Sequence, residues 1–460
     1  MVKAASMTDD ALPSQRPASA VSLGVGLSGL AGLALWLAIA RHFGALANLM
    51  GIAGLPDRAD GPYAALLGVL ACGIPMIGWS LLVDKVHRRR STGIDWSLRR
   101  PLAEVVDISI VKIAGYWATW ALIGAIYAIG RFWWTTQYAN YPFSMSLFEA
   151  ALVPLIIISA PYIVWLDRHL IDPKDTAWHF GAWIAGRGGW DKAMIHHHLR
   201  AWAVKGFFLA FMLSIIPGGF YEIVNYDLAE IATNPAWIAN ALIVTMFVID
   251  VQLATVGYLL TMKPLDSHIR TANPYLAGWV AALICYPPFT LMNNGGPLDY
   301  HVATSDWAMW FADQPVLLWA WGAMLVVLTG IYAFATLAFG LRFSNLTHRG
   351  ILTHGPYAWT RHPAYVSKNA YWWLATMPFI VTSGSAVDAV RNSALLAITS
   401  AVYYWRARTE EKHLLADPVY RAYYNWAEEH APWPRLLRKI SGGRIGNRGK
   451  VDDAAMLPAE

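Results

Sequence analysis

The residues best suited to chemistry in this chain gather toward its C-terminal end. Thr353-His354-Gly355-Pro356-Tyr357 is followed by Arg361-His362-Pro363-Ala364-Tyr365. After a long apolar stretch come Arg406, Arg408, Glu410, Glu411 and His413, then Tyr420, Tyr423 and Tyr424. Gly355-Pro356 reads as a turn. Pro363 suits the first position of a helix, where its missing N–H has no intrahelical partner to lose. Arg361 and His362 then stand at a helix N-terminus, whose amide groups and dipole favour anions. Along that helix Tyr365, Lys368, Asn369 and Trp372 recur at i, i+3, i+4 and i+7 and share one face. Each group has an ordinary reading on its own. Arg361 and His362 can be interface anchors, Glu410 and Glu411 a solvated helix face, and the tyrosines an aromatic belt. Their recurrence in this order around one hairpin points instead to a site.

The elements that position them are membrane helices. Of 460 residues 56% are hydrophobic and only 14% charged, where a soluble domain carries about 25% charged. A large soluble core does not account for the deficit, because chains of this length divide into domains first. The 24 Trp and 21 Tyr suit many crossings of the lipid–water boundary. The two cysteines, Cys72 and Cys285, lie in apolar segments and exclude a disulfide framework or a Cys-based metal site. The polar residues 1–19 and the Gly-rich tail 441–460 read as disordered.

A spanning helix needs about 20 apolar residues. Ten segments qualify: 20–40, 63–83, 106–130, 146–166, 201–221, 236–261, 275–292, 316–340, 364–384 and 392–407. The first reads as a retained helix rather than a signal peptide. The seventh is broken by Pro287 and Pro288, and the last two are joined by a turn around Asp388. Lys and Arg crowd the loops 84–105, 167–200, 262–274 and 341–363, whereas the intervening loops are acidic or poor in both. The alternation holds for an all-α integral membrane protein of about ten transmembrane helices with both termini cytoplasmic. The net charge of +5 thus reflects loop asymmetry and not nucleic-acid binding. Short loops and the lack of targeting signals suit the cytoplasmic membrane of a bacterium. The predicted organisation is an N-terminal multi-helix region, 20–310, and a C-terminal domain, 311–440, whose helical hairpin brings both polar clusters to the cytoplasmic face. Trp178, Trp183 and Trp190 in the long loop 167–200 suggest an interfacial helix.

Gly355-Pro356-Tyr357, Arg361-His362-Pro363-Ala364-Tyr365, a hairpin, Glu410-Glu411-Lys412-His413-Leu414 and the pair Tyr420, Tyr423 together resemble the isoprenylcysteine carboxyl methyltransferase and phospholipid methyltransferase superfamily. The resemblance covers roughly 345–435. Two departures stand out: Ser367, then Lys368, where the family often has Gly, and an N-terminal region without counterpart. The resemblance implies S-adenosylmethionine as cofactor and a lipid-like or prenylated acceptor reached from the bilayer. It implies a cofactor site of Gly355, Tyr357, Arg361, His362, Pro363, Tyr365, Glu410, Glu411, Tyr420 and Tyr423, with no metal. Arg361 can hold the methionyl carboxylate bidentately, with His362 as a second donor. Glu410 or Glu411 can accept from ribose hydroxyls, and Tyr357, Trp359 or Tyr365 can face the sulfonium. An amine acceptor would need a base, for which Glu411 and His354 are candidates.

Two alternatives stay open. The membrane sterol and steroid reductases share an Arg-His-Pro-x-Tyr segment and bind NADPH, although Glu410-Glu411 and Tyr420-x-x-Tyr423 fit the methyltransferases better. Asp250, in the sixth segment, would suit a transporter or an acceptor site, with Lys112 and Lys205 as possible partners. The run His196-His197-His198 reads as a basic interfacial patch, since successive helical residues diverge by about 100°.

Overall fold

The computed structural model describes residues 15–137 and 141–440; the predicted tail 441–460 lies outside the described residues. It is helical almost throughout. The principal helices are α1 (Leu23–Arg41), α2 (Pro62–Leu82), α3 (Leu102–Gln137), α4 (Tyr141–Asp167), α5 (Thr176–Ile184), α6 (Lys192–Asn225) and α7 (Pro235–Leu259). They continue with α8 (Leu276–Leu283), α9 (Pro315–Phe339), α10 (Pro363–Thr376), α11 (Ala386–Leu414), α12 (Pro418–His430) and α13 (Pro432–Ile440). Local chemistry sets many starts. Proline occupies the first position of α2, α7, α9, α10 and α12. The side chains of Asp191, Asn234 and Asp417 accept from the free amides that open α6, α7 and α12.

Among the described residues seven helices, α1 to α4, α6, α7 and α9, are long and apolar enough to cross a membrane. Rows of large apolar side chains face outward from them, as Val153, Ile156, Ile157 and Ile158 do on α4, which suits a lipid surround. The other three predicted spans differ. The segment 275–292 is helical only over Leu276–Leu283, about 12 Å of rise, because Pro287 and Pro288 cannot continue a helix. The segment 364–384 is helical over Pro363–Thr376 and ends at Met377, which is left-handed at φ 44°, immediately before Pro378. Helix α11 is longer than predicted and carries charged residues along its last turns. Asp388 is therefore not a turn residue; it lies in the first turn of α11, where Ser385 caps its amide.

One apolar core joins α1, α2, α6, α7 and α9. Small residues let backbones meet: a Cβ at Gly32 would strike the Ala71 carbonyl, and one at Gly26 the Leu337 carbonyl. The predicted interfacial helix is α5, packed on α3 where Gly115 and Gly181 adjoin, with Trp178 buried and Trp183 half exposed.

The basic loops gather at one end of the bundle. Arg89 donates to Ala20 O at 2.7 Å, and Ala20 N to Ile351 O at 2.8 Å. Strands β1 (Thr271–Ala272) and β2 (Thr347–His348) pair antiparallel and join two of these loops. Buried Asp266 accepts from Arg342 at 2.5 Å. Arg349, 2% exposed, donates to the carbonyls of Gly257, Leu260, Ser267, Leu341 and Phe343. It thereby fastens the C-terminal ends of α7 and α9, where a cation complements both helix dipoles. Residues 15–19, predicted as disordered, lie against this end: Pro17 O accepts from Thr353, and Ser19 bonds His354. Arg41, at the end of α1, and Arg58, in the loop after it, bond the C-terminal end of α6 at the opposite end.

Candidate active site

At the basic end, Gly355–Ala358 makes a single tight turn. Gly355 starts it at φ +57°, which costs a side-chain-bearing residue strain. The chain then enters α10 with Pro363 at its first position. Helix α11, at 29 residues, is about 43 Å long and exceeds the hydrocarbon thickness of about 30 Å. Its last turns carry Arg406, Arg408, Glu410, Glu411 and His413 beside the start of α10.

Arg361 donates from Nε to Glu411 Oε1 at 2.9 Å and from Nη1 to Glu428 Oε1 at 2.5 Å. Its guanidinium lies 4.1 Å from the centre of the Tyr424 ring. His362 Nε2 is 3.2 Å from Glu411 Oε1, and its ring stacks on Tyr365 at 5.6 Å and 5°. Tyr365 donates its hydroxyl to Glu410. Arg406, 2% exposed, donates to Asn345 Oδ1 at 2.6 Å and to Glu410 Oε1 at 3.4 Å. Tyr423 donates to Tyr357 O at 2.7 Å and so ties α12 to the turn.

The electrostatics follow from these contacts. Burial alone would raise the Glu411 carboxyl, but His362 and Arg361 hold it down, to about 2. Burial works against the charge of Arg361, and Glu411 and Glu428 more than offset it. Burial, with help from His348 and Arg200, lowers His413 to about 4, and burial lowers His348 likewise. These two imidazoles are thus neutral near pH 7.

A cavity opens among these groups, and its wall includes Tyr357, Arg361, His362, Pro363, Tyr365, Glu410, Tyr420 and Tyr423. Eight of the residues expected in the cofactor site are therefore brought together. Glu411 instead lines a second, more apolar cavity across the wall made by Arg361, His362, Tyr365 and Tyr403. Gly355 shapes the turn without lining either cavity. Trp359 is 60% exposed and also lines neither. His354 is held by Ser19, 2.7 Å from Nδ1, away from both cavities, and burial lowers its pKa.

Several cavity residues were not marked in the sequence. Tyr286 and Asn345 bond Arg406 from loops whose sequences carry no motif. Tyr332, Thr336 and Phe339 enter from the C-terminal half of α9, and Tyr403 from α11. Arg406 and Lys368 stood out as polar residues on apolar helices, and that was the available signal. Asp250 is one layer further back. It accepts from Thr336 and from Tyr332, not from the expected lysines: Lys112 pairs with Asp167 and Asp175 at 2.5 and 3.0 Å, and Lys205 bonds Thr261 at 2.8 Å. In the histidine run, His198 is buried against Phe180 and bonds Thr119, whereas His196 is exposed.

An arginine–carboxylate cluster where α10 and α11 meet, opening onto an aromatic cavity, has the makings of a membrane methyltransferase domain. Residues 321–416, about a fifth of the chain, match the isoprenylcysteine carboxyl methyltransferase (ICMT) family. This C-terminal region therefore matches the family its motifs resemble, and that family is one of methyltransferases. Neither a search of curated proteins nor one of solved structures returns a match. Tyr420, Tyr423 and Glu428 lie beyond the matched segment yet complete its cavity and ion-pair network.

Proposed function

We propose that the protein is an integral membrane methyltransferase that uses S-adenosylmethionine and acts on a lipid-like or prenylated acceptor at the cytoplasmic interface. The observation that carries this reading is the run of one cavity from a charged end to an aromatic one. The charged end, with Arg361, His362, Arg406 and Glu410, lies among the basic loops, and the aromatic end, with Tyr332 and Tyr403, lies further back along α9 and α11. A water-soluble cofactor and a bilayer-borne acceptor can reach it from opposite directions. The basic loops favour the cytoplasmic side for the charged end, as in a bacterial cytoplasmic membrane.

The donor set fits the cofactor. Among the described residues, Arg361 Nη2 makes no hydrogen bond within the protein, so it can donate to the methionyl carboxylate. Glu410 faces the cavity, which favours it over Glu411 for the ribose hydroxyls. Glu411, held near 2, is a poor proton acceptor and serves to position Arg361 and His362. When bound, the cofactor supplies a methyl group on a positively charged sulfur. The chain's part is to align the acceptor with that carbon and exclude water.

The test is equilibrium binding of radiolabelled S-adenosylmethionine to the purified full-length protein in nanodiscs, with NADPH as competitor, followed by methyl transfer into a total lipid extract. Saturable binding untouched by NADPH, with label appearing in lipid, supports the proposal. Binding of NADPH in place of S-adenosylmethionine would move the protein to the membrane reductases.

A further inference from the structure

Helix α13, Pro432–Ile440, presents three unlike faces. Pro434, Leu437 and Arg438 recur at i, i+3 and i+4 and turn inward, half-buried. Pro434 and Leu437 wall the second cavity together with Trp433, and Arg438 donates to Glu428 O. Trp433, Leu436 and Ile440 form an outer apolar edge that is 38, 46 and 74% exposed. Arg435 and Lys439, both exposed, form a basic edge beside it. The segment 432–440 holds no Asp or Glu, and Arg444, Arg448 and Lys450 extend the basic run before the next acidic residue, Asp452. Aromatic side chains border the helix: Trp433 N donates to the carbonyl of exposed Trp359 at 3.2 Å, and exposed Tyr404 lines the same cavity. An aromatic fringe beside an apolar edge and a basic edge is the pattern of a helix lying in the lipid–water boundary. The chain already crosses a bilayer with its long helices, and the bilayer surface offers hydrocarbon and phosphate side by side.

We propose that α13 is a membrane-surface helix that binds anionic lipid headgroups. Its apolar edge enters the acyl boundary, and Arg435 and Lys439 pair with the phosphates of acidic lipids. The inference does not depend on methyl transfer. It does reach the candidate site, because Glu428 at the end of α12 accepts from Arg361 through its carboxylate and from Arg438 through its carbonyl. Lipid that seats α13 therefore steadies a carboxylate partner of Arg361 and one wall of the second cavity. Arg435 and Lys439 themselves line neither cavity, so their charges can be removed without touching the arginine–carboxylate cluster.

The test is hydrogen–deuterium exchange across residues 432–440 of the full-length protein, in single-copy nanodiscs of phosphatidylcholine alone or of phosphatidylcholine with phosphatidylglycerol. Two cationic side chains at an anionic surface favour the seated helix by about tenfold or more, so its amides should exchange about tenfold more slowly in the anionic discs. Raised salt should shrink that difference. The double variant Arg435→Gln/Lys439→Gln should abolish it, because the inner face that packs on the protein is unchanged. Leu436→Ser/Ile440→Ser should speed exchange in both membranes. A helix held by protein contacts alone would exchange at one rate in both membranes, and that result overturns the proposal. So does a difference that persists in Arg435→Gln/Lys439→Gln. Protection that appears only in discs carrying a second copy would assign the face to that copy and overturn it equally.

Discussion

Replacing Glu411 by Gln removes the charge on which three donors converge. The side chain is 3% exposed and accepts from Arg361 Nε at 2.9 Å, lies 3.2 Å from His362 Nε2, and bonds Arg408. Burial opposes its ionisation, yet His362 and Arg361 bring its pKa from 4.5 to about 2. The folded protein thus binds this proton more weakly than the unfolded chain. The resulting stabilisation is full above about pH 5 and is lost as pH falls toward 2. At about 1.4 kcal/mol per pKa unit, the charge contributes up to ~3 kcal/mol. The Gln oxygen can keep one hydrogen bond, worth about 1 kcal/mol, so the expected loss at pH 7 is ~2 kcal/mol. Thermal unfolding in detergent, followed by tryptophan fluorescence, should show Glu411→Gln melting several degrees lower at pH 7. The gap to wild type should close as pH is lowered toward 3. Equal melting at pH 7, or a gap constant with pH, would refute the assignment of Glu411 as the ionised hub of the cluster.

Arg361→Ala removes the cation shared by Glu411 and Glu428 and, with it, the proposed partner of the cofactor carboxylate. Labelled S-adenosylmethionine should bind about 10- to 100-fold more weakly, the loss expected for a charge-assisted hydrogen bond, with partial recovery in Arg361→Lys. Unchanged affinity would sink that role. Arg342→Met leaves buried Asp266 with Ser91 donating at 2.9 Å and with Arg270 at 3.4 Å and Arg89 at 3.8 Å. Removing the closest partner of a buried ion pair costs up to about 3–5 kcal/mol, so the melting temperature should drop sharply, and a drop of under a degree would show that Ser91 and the two remaining arginines suffice.

The apolar runs announced the long helices because lipid imposes a length and a composition that no loop satisfies. Seven of the ten predicted spans became helices of spanning length, with ends shifted by a few residues at α1 and by about ten at α6. The three exceptions lie where hydropathy and helicity part company. The segment 275–292 is apolar, but Pro287 and Pro288 forbid a helix, and Tyr286 beside them becomes a wall of the cavity. The site was legible where a motif fixed spacing along one stretch of chain, as at Arg361, Tyr365 and Glu410. It was hidden where a partner came from a distant loop, as with Asn345 and Tyr286 on Arg406. Pairing across such separations depends on helix packing, which periodicity within one helix cannot encode. The same limit misassigned Asp250, whose partners Tyr332 and Thr336 lie on a helix about eighty residues further along the chain.

Arg349 carries a consequence for how this sequence can drift. All five oxygens it binds belong to the main chain, and any amino acid placed at those positions still brings one. Leu260, Ser267, Leu341 and Phe343 can therefore exchange identity without the guanidinium losing an acceptor. A change at position 349 withdraws every bond at once. The fastening at the C-terminal ends of α7 and α9 is thus concentrated in one side chain, tolerant of changes around it and intolerant of its own.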